Sequence, residues 1–217
     1  KHPHQQVSDW QHAQQVRHLA HPVERLERGC RRAPLAWKRL GQYQQAEQEL
    51  RKTVQTSPEN LTARYYLGMT LLELEKNAEA EEQFRTVQDL RAKREEADPR
   101  ADKIELGLAR AQMGNKEYGK AGESLDKAKE LNPESAEVYM YRGKLGVLRE
   151  DYRTAATELD EALKRNPEMA YAHYYAGISA ANVKRPDKMV EHFQYFLKLA
   201  PDAPEAAKVK SYLRSVR

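Results

Sequence analysis

The chain has 217 residues, of which 40% are hydrophobic and 32% charged, and its formal net charge is +4. That is too apolar for a disordered chain, and the dominance of Ala, Leu, Glu, Lys, Arg and Gln over Val, Ile and Thr argues for helices and against a large sheet. Cys30 stands alone, which excludes an intrachain disulfide and a cysteine-built metal site, and no apolar run approaches the roughly 18 residues of a membrane span.

Residues 1–22 form a polar N-terminal segment. Ser8-Asp9-Trp10-Gln11 reads as a helix start, and Trp10, Ala13, Val16, Leu19 and Ala20 follow at helical spacing, predicting a helix from about 9 to 20 that Pro22 closes. Positive charge gathers here: residues 1–40 carry eight Lys and Arg against three Asp and Glu, while the rest of the chain is balanced. No basic stripe runs along the body, so nucleic acid is not an expected partner. His2, His4, His12, His18 and His21 also crowd this segment. His18 and His21 share a spacing that suits one helix face, but no carboxylate supports them, so no metal site is expected. Cys30 sits among arginines, which favours a thiolate, yet it is read as an incidental or packed cysteine. The start at Lys1 is consistent with a processed form or an excised segment; the compartment stays open between the cytoplasm and, if a leader was removed, the periplasm or beyond.

From about residue 35 the chain repeats. Pro22, Pro58, Pro99, Pro133, Pro167 and Pro201 form one ladder, with gaps of 36, 41, 34, 34 and 34. Ala46, Ala80, Ala121, Ala155 and Met189 form a second, and Leu50, Phe84, Leu125, Leu159 and Phe193 a third; both have gaps of 34, 41, 34 and 34. A shared irregular gap marks a true internal period. Residues 136–169 show what one period contains. Tyr139, Gly143, Val147 and Leu148 define one helix face, Glu150-Asp151-Tyr152 a turn, and Ala155, Leu159, Ala162 and Leu163 a second helix. Gly143 and Ala155 are small where the two helices should cross, Leu159 fills the groove between them, and Asn166-Pro167 ends the second helix.

The expected organisation is an atypical first repeat over 23–60, a second over 61–99, a third over 100–135, a fourth over 136–169 and a fifth over 170–202. A capping helix over 203–217 follows, its stripe made of Val209, Leu213 and Val216. Pro34 falls in mid-helix of the first repeat, where an interior proline costs about 3 kcal/mol, so the helix is expected to break or restart there. Gly68 to Gly107 is five residues over the period, placed around 91–98 as an extended second helix. Gly107 to Ala121 is two over, placed in the turn Gly114-Asn-Lys-Glu-Tyr118. Pro186 and Met189 replace the usual turn aromatic and Ala in the fifth repeat, which predicts a slightly wider helix pair.

With Leu67-Gly68, Leu106-Gly107, Gly143 and Gly177 in the first helices, Tyr43, Tyr118 and Tyr152 after the turns, and the three ladders, the chain resembles a tetratricopeptide repeat protein over about residues 35–201. The resemblance implies an all-α fold: a right-handed α-solenoid of antiparallel helix pairs, about five repeats with a C-terminal capping helix. It also implies that first helices line a concave groove that takes an extended peptide or a helix of a protein partner. Carried onto this chain, the groove residues are Tyr66, Met69, Leu108, Tyr141, Lys144, Tyr171, Tyr175 and Ile178, flanked by Thr62, Glu73, Glu105, Gln112, Glu137, Leu148 and Asn182. Tyr-rich surfaces suit recognition, since the ring is apolar and its tip polar at low entropy cost. Some relatives grip acidic chaperone tails with cations on successive first helices; few cations fall on these positions, so that mode is disfavoured.

No Gly-rich phosphate loop, nucleophile elbow or His-Glu-x-x-His motif occurs; acids such as Glu95 and Glu96 sit in a mixed-charge run. The expectation is therefore a non-enzymatic adaptor or scaffold, with no catalytic residues, no cofactor and no membrane insertion. The alternative is a self-associating or membrane-complex assembly module that uses its ends and convex face.

Overall fold

The computed structural model describes residues 35–94 and 100–215. The expected helix at 9–20, the N-terminal histidines, Cys30, Pro34 and Glu95-Glu96 lie outside these residues. Ten helices and no strand occur among them: α1 (Leu35–Thr56), α2 (Leu61–Glu73), α3 (Asn77–Arg94), α4 (Ala101–Gly114), α5 (Tyr118–Leu131), α6 (Ala136–Leu148), α7 (Tyr152–Arg165), α8 (Ala170–Asn182), α9 (Pro186–Leu199) and α10 (Ala206–Ser215). The described chain is an all-α helical-repeat solenoid that divides into two compact units, the first holding α1–α3 and the second α4–α10.

The second to fifth repeats each turn on a single residue. Glu75, Lys116, Glu150 and Lys184 have φ of 57°, 63°, 62° and 60°. Each stands in the middle of a three-residue turn between paired helices. The turn is closed by two backbone bonds, as in Glu150 N–H to the Val147 carbonyl at 3.1 Å and Asp151 N–H to the Gly146 carbonyl at 2.9 Å. This is the left-handed helix stop that usually takes glycine. Proline ladder positions end the second helices: Asn132, Asn166 and Ala200 cap α5, α7 and α9 outside the helical region directly before Pro133, Pro167 and Pro201. Asn60 and Ser135 then cap the next helices, accepting from the Ala63 and Val138 amides.

Counting from the positive-φ residue corrects the reading of the third repeat. Gly68, Gly143 and Gly177 lie seven residues before theirs, and the residue seven before Lys116 is Ala109, not Gly107. Leu108-Ala109 is thus the counterpart of Leu67-Gly68. The turn at Gly114–Tyr118 has the same three residues as the others, and all seven extra residues lie upstream of Ala109. Part of them lengthens α3, which has 18 residues where α5, α7 and α9 have 14. The first repeat also differs: Leu35–Thr56 is one continuous helix, so Tyr43 follows no turn. The one glycine there, Gly41, costs about 1 kcal/mol inside a helix, too little to break a run that otherwise favours it.

The small positions do what their spacing implies. A Cβ on Gly68 would stand 2.8 Å from the Phe84 ring, one on Gly143 or Gly177 would overlap Leu159 or Phe193, and one on Gly146 would come within 2.9 Å of the Ala155 Cβ. Ala80, Ala121, Ala155, Phe84, Leu125 and Leu159 are fully buried, and Met189 keeps 6% of its surface where the other repeats have Ala. Pro186 opens α9 at its first turn, where its missing N–H costs nothing. At the end of the second unit, Ala206 and Val209 of α10 pack with Ala180, Met189, Phe193 and Phe196, and Leu213 joins at the edge. Charge also ties neighbouring helices together. Arg142 of α6 bonds both Asp126 of α5 and Glu158 of α7, and Glu47 of α1 holds Lys76 at 2.7 Å and its own Arg51 at 2.9 Å.

Candidate protein-binding face

Within the second unit, the first helices α4, α6 and α8 lie side by side and present equivalent positions in a row. Nine residues before the positive-φ residue stand Gly107, Tyr141 and Tyr175, and six before it stand Arg110, Lys144 and Ile178. The Arg110 guanidinium lies 5.5 Å from the Tyr141 ring centre. Lys144 Nζ lies 5.7 Å from the same ring and 5.8 Å from that of Tyr175. Tyr175 is 6.4 Å from Tyr171 and meets Tyr174 edge-on at 5.2 Å. Tyr171, 37% exposed, donates its hydroxyl to Glu205 at 3.1 Å, beside α10. The strip therefore runs from α4 to the capping helix as cation, ring, cation, rings and carboxylate.

Its electrostatics follow from its dryness. Burial pushes the Tyr175 phenol well above its usual range, with the phenols of Tyr141 and Tyr174 and the Glu205 carboxylate adding to it. Burial also holds the Lys144 ammonium below the ordinary lysine range, helped by the positive charge of Arg110. Among the described residues Lys144 has no ion-pair partner; ring faces meet its charge, and the Glu205 carboxylate attracts it from further off. A half-buried cation beside another cation is a place where an arriving anionic group gains more than it would in water.

The row brings Tyr141, Lys144, Tyr171 and Tyr175 together, as their spacing predicts. Ile178 is half-buried and packs on the cluster shared with α9 and α10. Tyr66 and Met69 lie in the first unit, Tyr66 half-buried with its ring 5.3 Å from Tyr65, and Met69 buried. Leu108 does not belong to the row. It keeps 3% of its surface, and Glu105 and Gln112 are buried with it, because the two-residue shift of the third repeat turns all three inward. The residue that occupies the row there is Arg110, which sequence reasoning missed. The signal was present: the ladders place the whole 41-residue gap before Ala121, and holding that gap in one place selects Arg110. The strip consequently carries more positive charge than expected.

Stacked helical hairpins, with a left-handed turn between the paired helices of the second to fifth repeats, define a helical-repeat protein. Two family models described as tetratricopeptide repeat match residues 39–97 and 148–207, together just over half of the chain. The chain is a tetratricopeptide repeat protein. No curated protein matches it. Among solved structures it is similar to a thermophilic tetratricopeptide repeat protein of Thermus thermophilus, with TM-score 0.65, 22% identity, and 82% of this chain and 93% of that one covered. It is also similar to YrrB, described as having an unusual peptide-binding site, with TM-score 0.56, 19% identity and coverage of 80% and 86%. A third is MamA of Desulfovibrio magneticus RS-1, with TM-score 0.60, 18% identity and coverage of 79% and 94%. At these identities the likeness is one of fold.

Proposed function

We propose that this protein is a non-enzymatic adaptor that holds a peptide or helix of a partner along the α4–α6–α8 row. The observation that carries the reading is the strip Arg110–Tyr141–Lys144–Tyr175–Tyr171, in which an ammonium group without an ion-pair partner stands between two tyrosine rings. Rings give the apolar contact area, and Lys144 favours a partner segment that brings a carboxylate to the same place. Tetratricopeptide repeats serve generally as scaffolds rather than enzymes. Tyr66 is proposed to serve the corresponding face of the first unit, whereas Met69 is buried in the core. The test is affinity capture from the source cell with wild type and with Lys144→Glu/Tyr171→Ala, both checked for helicity by circular dichroism. A partner recovered by the wild type and lost with the folded variant supports the row as the contact. Equal recovery moves the contact off it, and the assembly reading then gains, with Tyr195 and Tyr212, 46% and 48% exposed, as its first surface.

A further inference from the structure

His173 and His192 lie on the other side of the fifth repeat from the tyrosine strip, and neither stood out in the sequence. His173 Nδ1 is 3.1 Å from His192 Nδ1, and His173 Nε2 is 3.0 Å from the carbonyl oxygen of Pro167, in the turn that enters α8. A carbonyl only accepts, so Nε2 of His173 carries the hydrogen and donates it. In a neutral His173 the Nδ1 is then bare, and the hydrogen between the rings belongs to His192. The chain of donors runs His192 to His173 to Pro167, tying α9, α8 and the preceding turn together. His173 keeps 7% of its surface and stacks on Tyr195, with ring centres 4.9 Å apart and planes 14° from parallel.

The second repeat builds the same tie from other residues. Arg64 Nε donates to the carbonyl oxygen of Pro58 at 2.6 Å, and Arg64 Nη1 to Gln83 Oε1 at 2.9 Å. The separations are identical: six residues from the proline and 19 to the partner on the second helix. The position is therefore a structural clasp of the repeat. In one repeat it is built from a guanidinium that never loses its charge and a neutral amide, and in the other from two groups that titrate near neutrality.

A metal reading does not fit. Ring centres 5.4 Å apart with nitrogens 3.1 Å apart place the rings end to end. Shared ligation needs both lone pairs to converge on a point about 2.0–2.1 Å from each nitrogen. No group of three or more His, Cys, Asp or Glu gathers as a metal site among the described residues.

We propose that the His173–His192 pair is a proton-sensitive clasp that holds the fifth repeat closed when neutral and releases it in mild acid, loosening the helix that presents Tyr171 and Tyr175. A proton on either ring leaves an N–H···N bond that the other ring's bare nitrogen accepts, and a proton on each puts two N–H donors head to head and breaks it. One on His192 places a charge in the cleft of about 530 Å³ between α7 and α9, where Asp160 and Lys164 of α7 and Arg185, Lys188 and Glu191 of the turn and α9 also lie. From α6, Lys144 meets α8 at Tyr175. Burial holds both imidazoles below their ordinary range, and for His192 the neighbouring His173 adds to it; the Pro167 bond and Glu191 pull the other way at His173, and Glu191 and Asp160 at His192. The unfolded chain then takes up more protons than the folded one below about pH 6.5, so the clasp acts fully above that pH and is lost as the pH falls toward the depressed values.

The effect on partner binding rests on the proposed function; the clasp does not. The test is proton NMR of the histidine C2 hydrogens of the full chain, with His173→Gln and His192→Asn for assignment. The expected result is that both signals titrate below about 6.5 and that removing either ring raises the other. Independent titration at ordinary values overturns the clasp, as does micromolar zinc binding that shifts the His173 and His192 signals and is lost with either variant. A second variant, His173→Arg/His192→Gln, copies the second repeat. Amide exchange along α8, corrected for its intrinsic pH dependence, should rise about three- to tenfold from pH 7.5 to 5.5 in wild type and stay level in that variant. Equal responses overturn the proposal. If α8 responds as expected while partner affinity does not, the proposed binding row fails and the clasp stands.

Discussion

In the second repeat Gly68 faces Phe84, and Arg64 holds Gln83 and the Pro58 carbonyl; in the fifth, Gly177 faces Phe193, and His173 holds His192 and the Pro167 carbonyl. The apolar half of the arrangement is the same in the two repeats, glycine against phenylalanine, since only a missing Cβ lets the helix approach the ring so closely. The polar half is free to vary, because any donor that reaches both the carbonyl and the second helix will close it. Packing thus sets the fold of a repeat, and its polar tie can set how that repeat responds to conditions.

The largest effect should come from the rings. Phe84→Ala and Phe193→Ala should each cost about 3–5 kcal/mol by denaturant unfolding. The fifth repeat should lose its contact with the cap as well, since Phe193 stacks on Tyr212 at 6.3 Å. Equal loss of protection in α10 for both variants would break the comparison. Next comes Gly177→Ala, which should destabilise by about 1–3 kcal/mol through overpacking. The same change at Gly119, where nothing lies within 4 Å of the added Cβ, should stabilise its helix by about 0.5–1 kcal/mol. The opposite signs, read by thermal unfolding, separate packing from helix propensity.

His173→Ala should cost about 1–3 kcal/mol at pH 7.5, because it strands the His192 donor and the Pro167 carbonyl. The penalty should shrink as the pH falls below about 6.5, as protonation loosens the pair in the wild type. Arg64→Ala should cost a similar amount with no such pH dependence. The smallest effect concerns the turns: Glu75→Gly and Lys184→Gly should each stabilise by about 0.5–1 kcal/mol, since glycine accepts the left-handed conformation without strain. No change in either variant would mean that the turn is relaxed there.

The ladders made the fold legible because each marks a contact that recurs at fixed spacing: Ala155 against Gly146, Leu159 against Gly143, proline after each second helix. Much of the strip was legible for the same reason, as Tyr141, Lys144, Tyr171 and Tyr175 lie in repeats of regular length. The third repeat misled because Gly107 imitates the small position two residues early, while the true one, Ala109, is only slightly larger. The clasp was illegible for another reason. A pair 19 residues apart becomes a pair only when α8 and α9 pack, and nothing in either helix's own pattern distinguishes His173 or His192 from ordinary surface residues.

The three-residue turns have a consequence for how the chain is made. Each closes a hairpin of about 30 residues, and the polar ties described above join residues no further apart than Tyr171 and Glu205, which are separated by 34. Such a topology has low contact order, so loop closure takes little entropy at any step and folding is fast. A hairpin emerging from the ribosome already holds both halves of its own Gly–Phe or Gly–Leu contact and needs only the hairpin before it to bury its outer face. Synthesis from the N-terminus can therefore add finished repeats one at a time, with α10 following to cover the apolar face of the fifth.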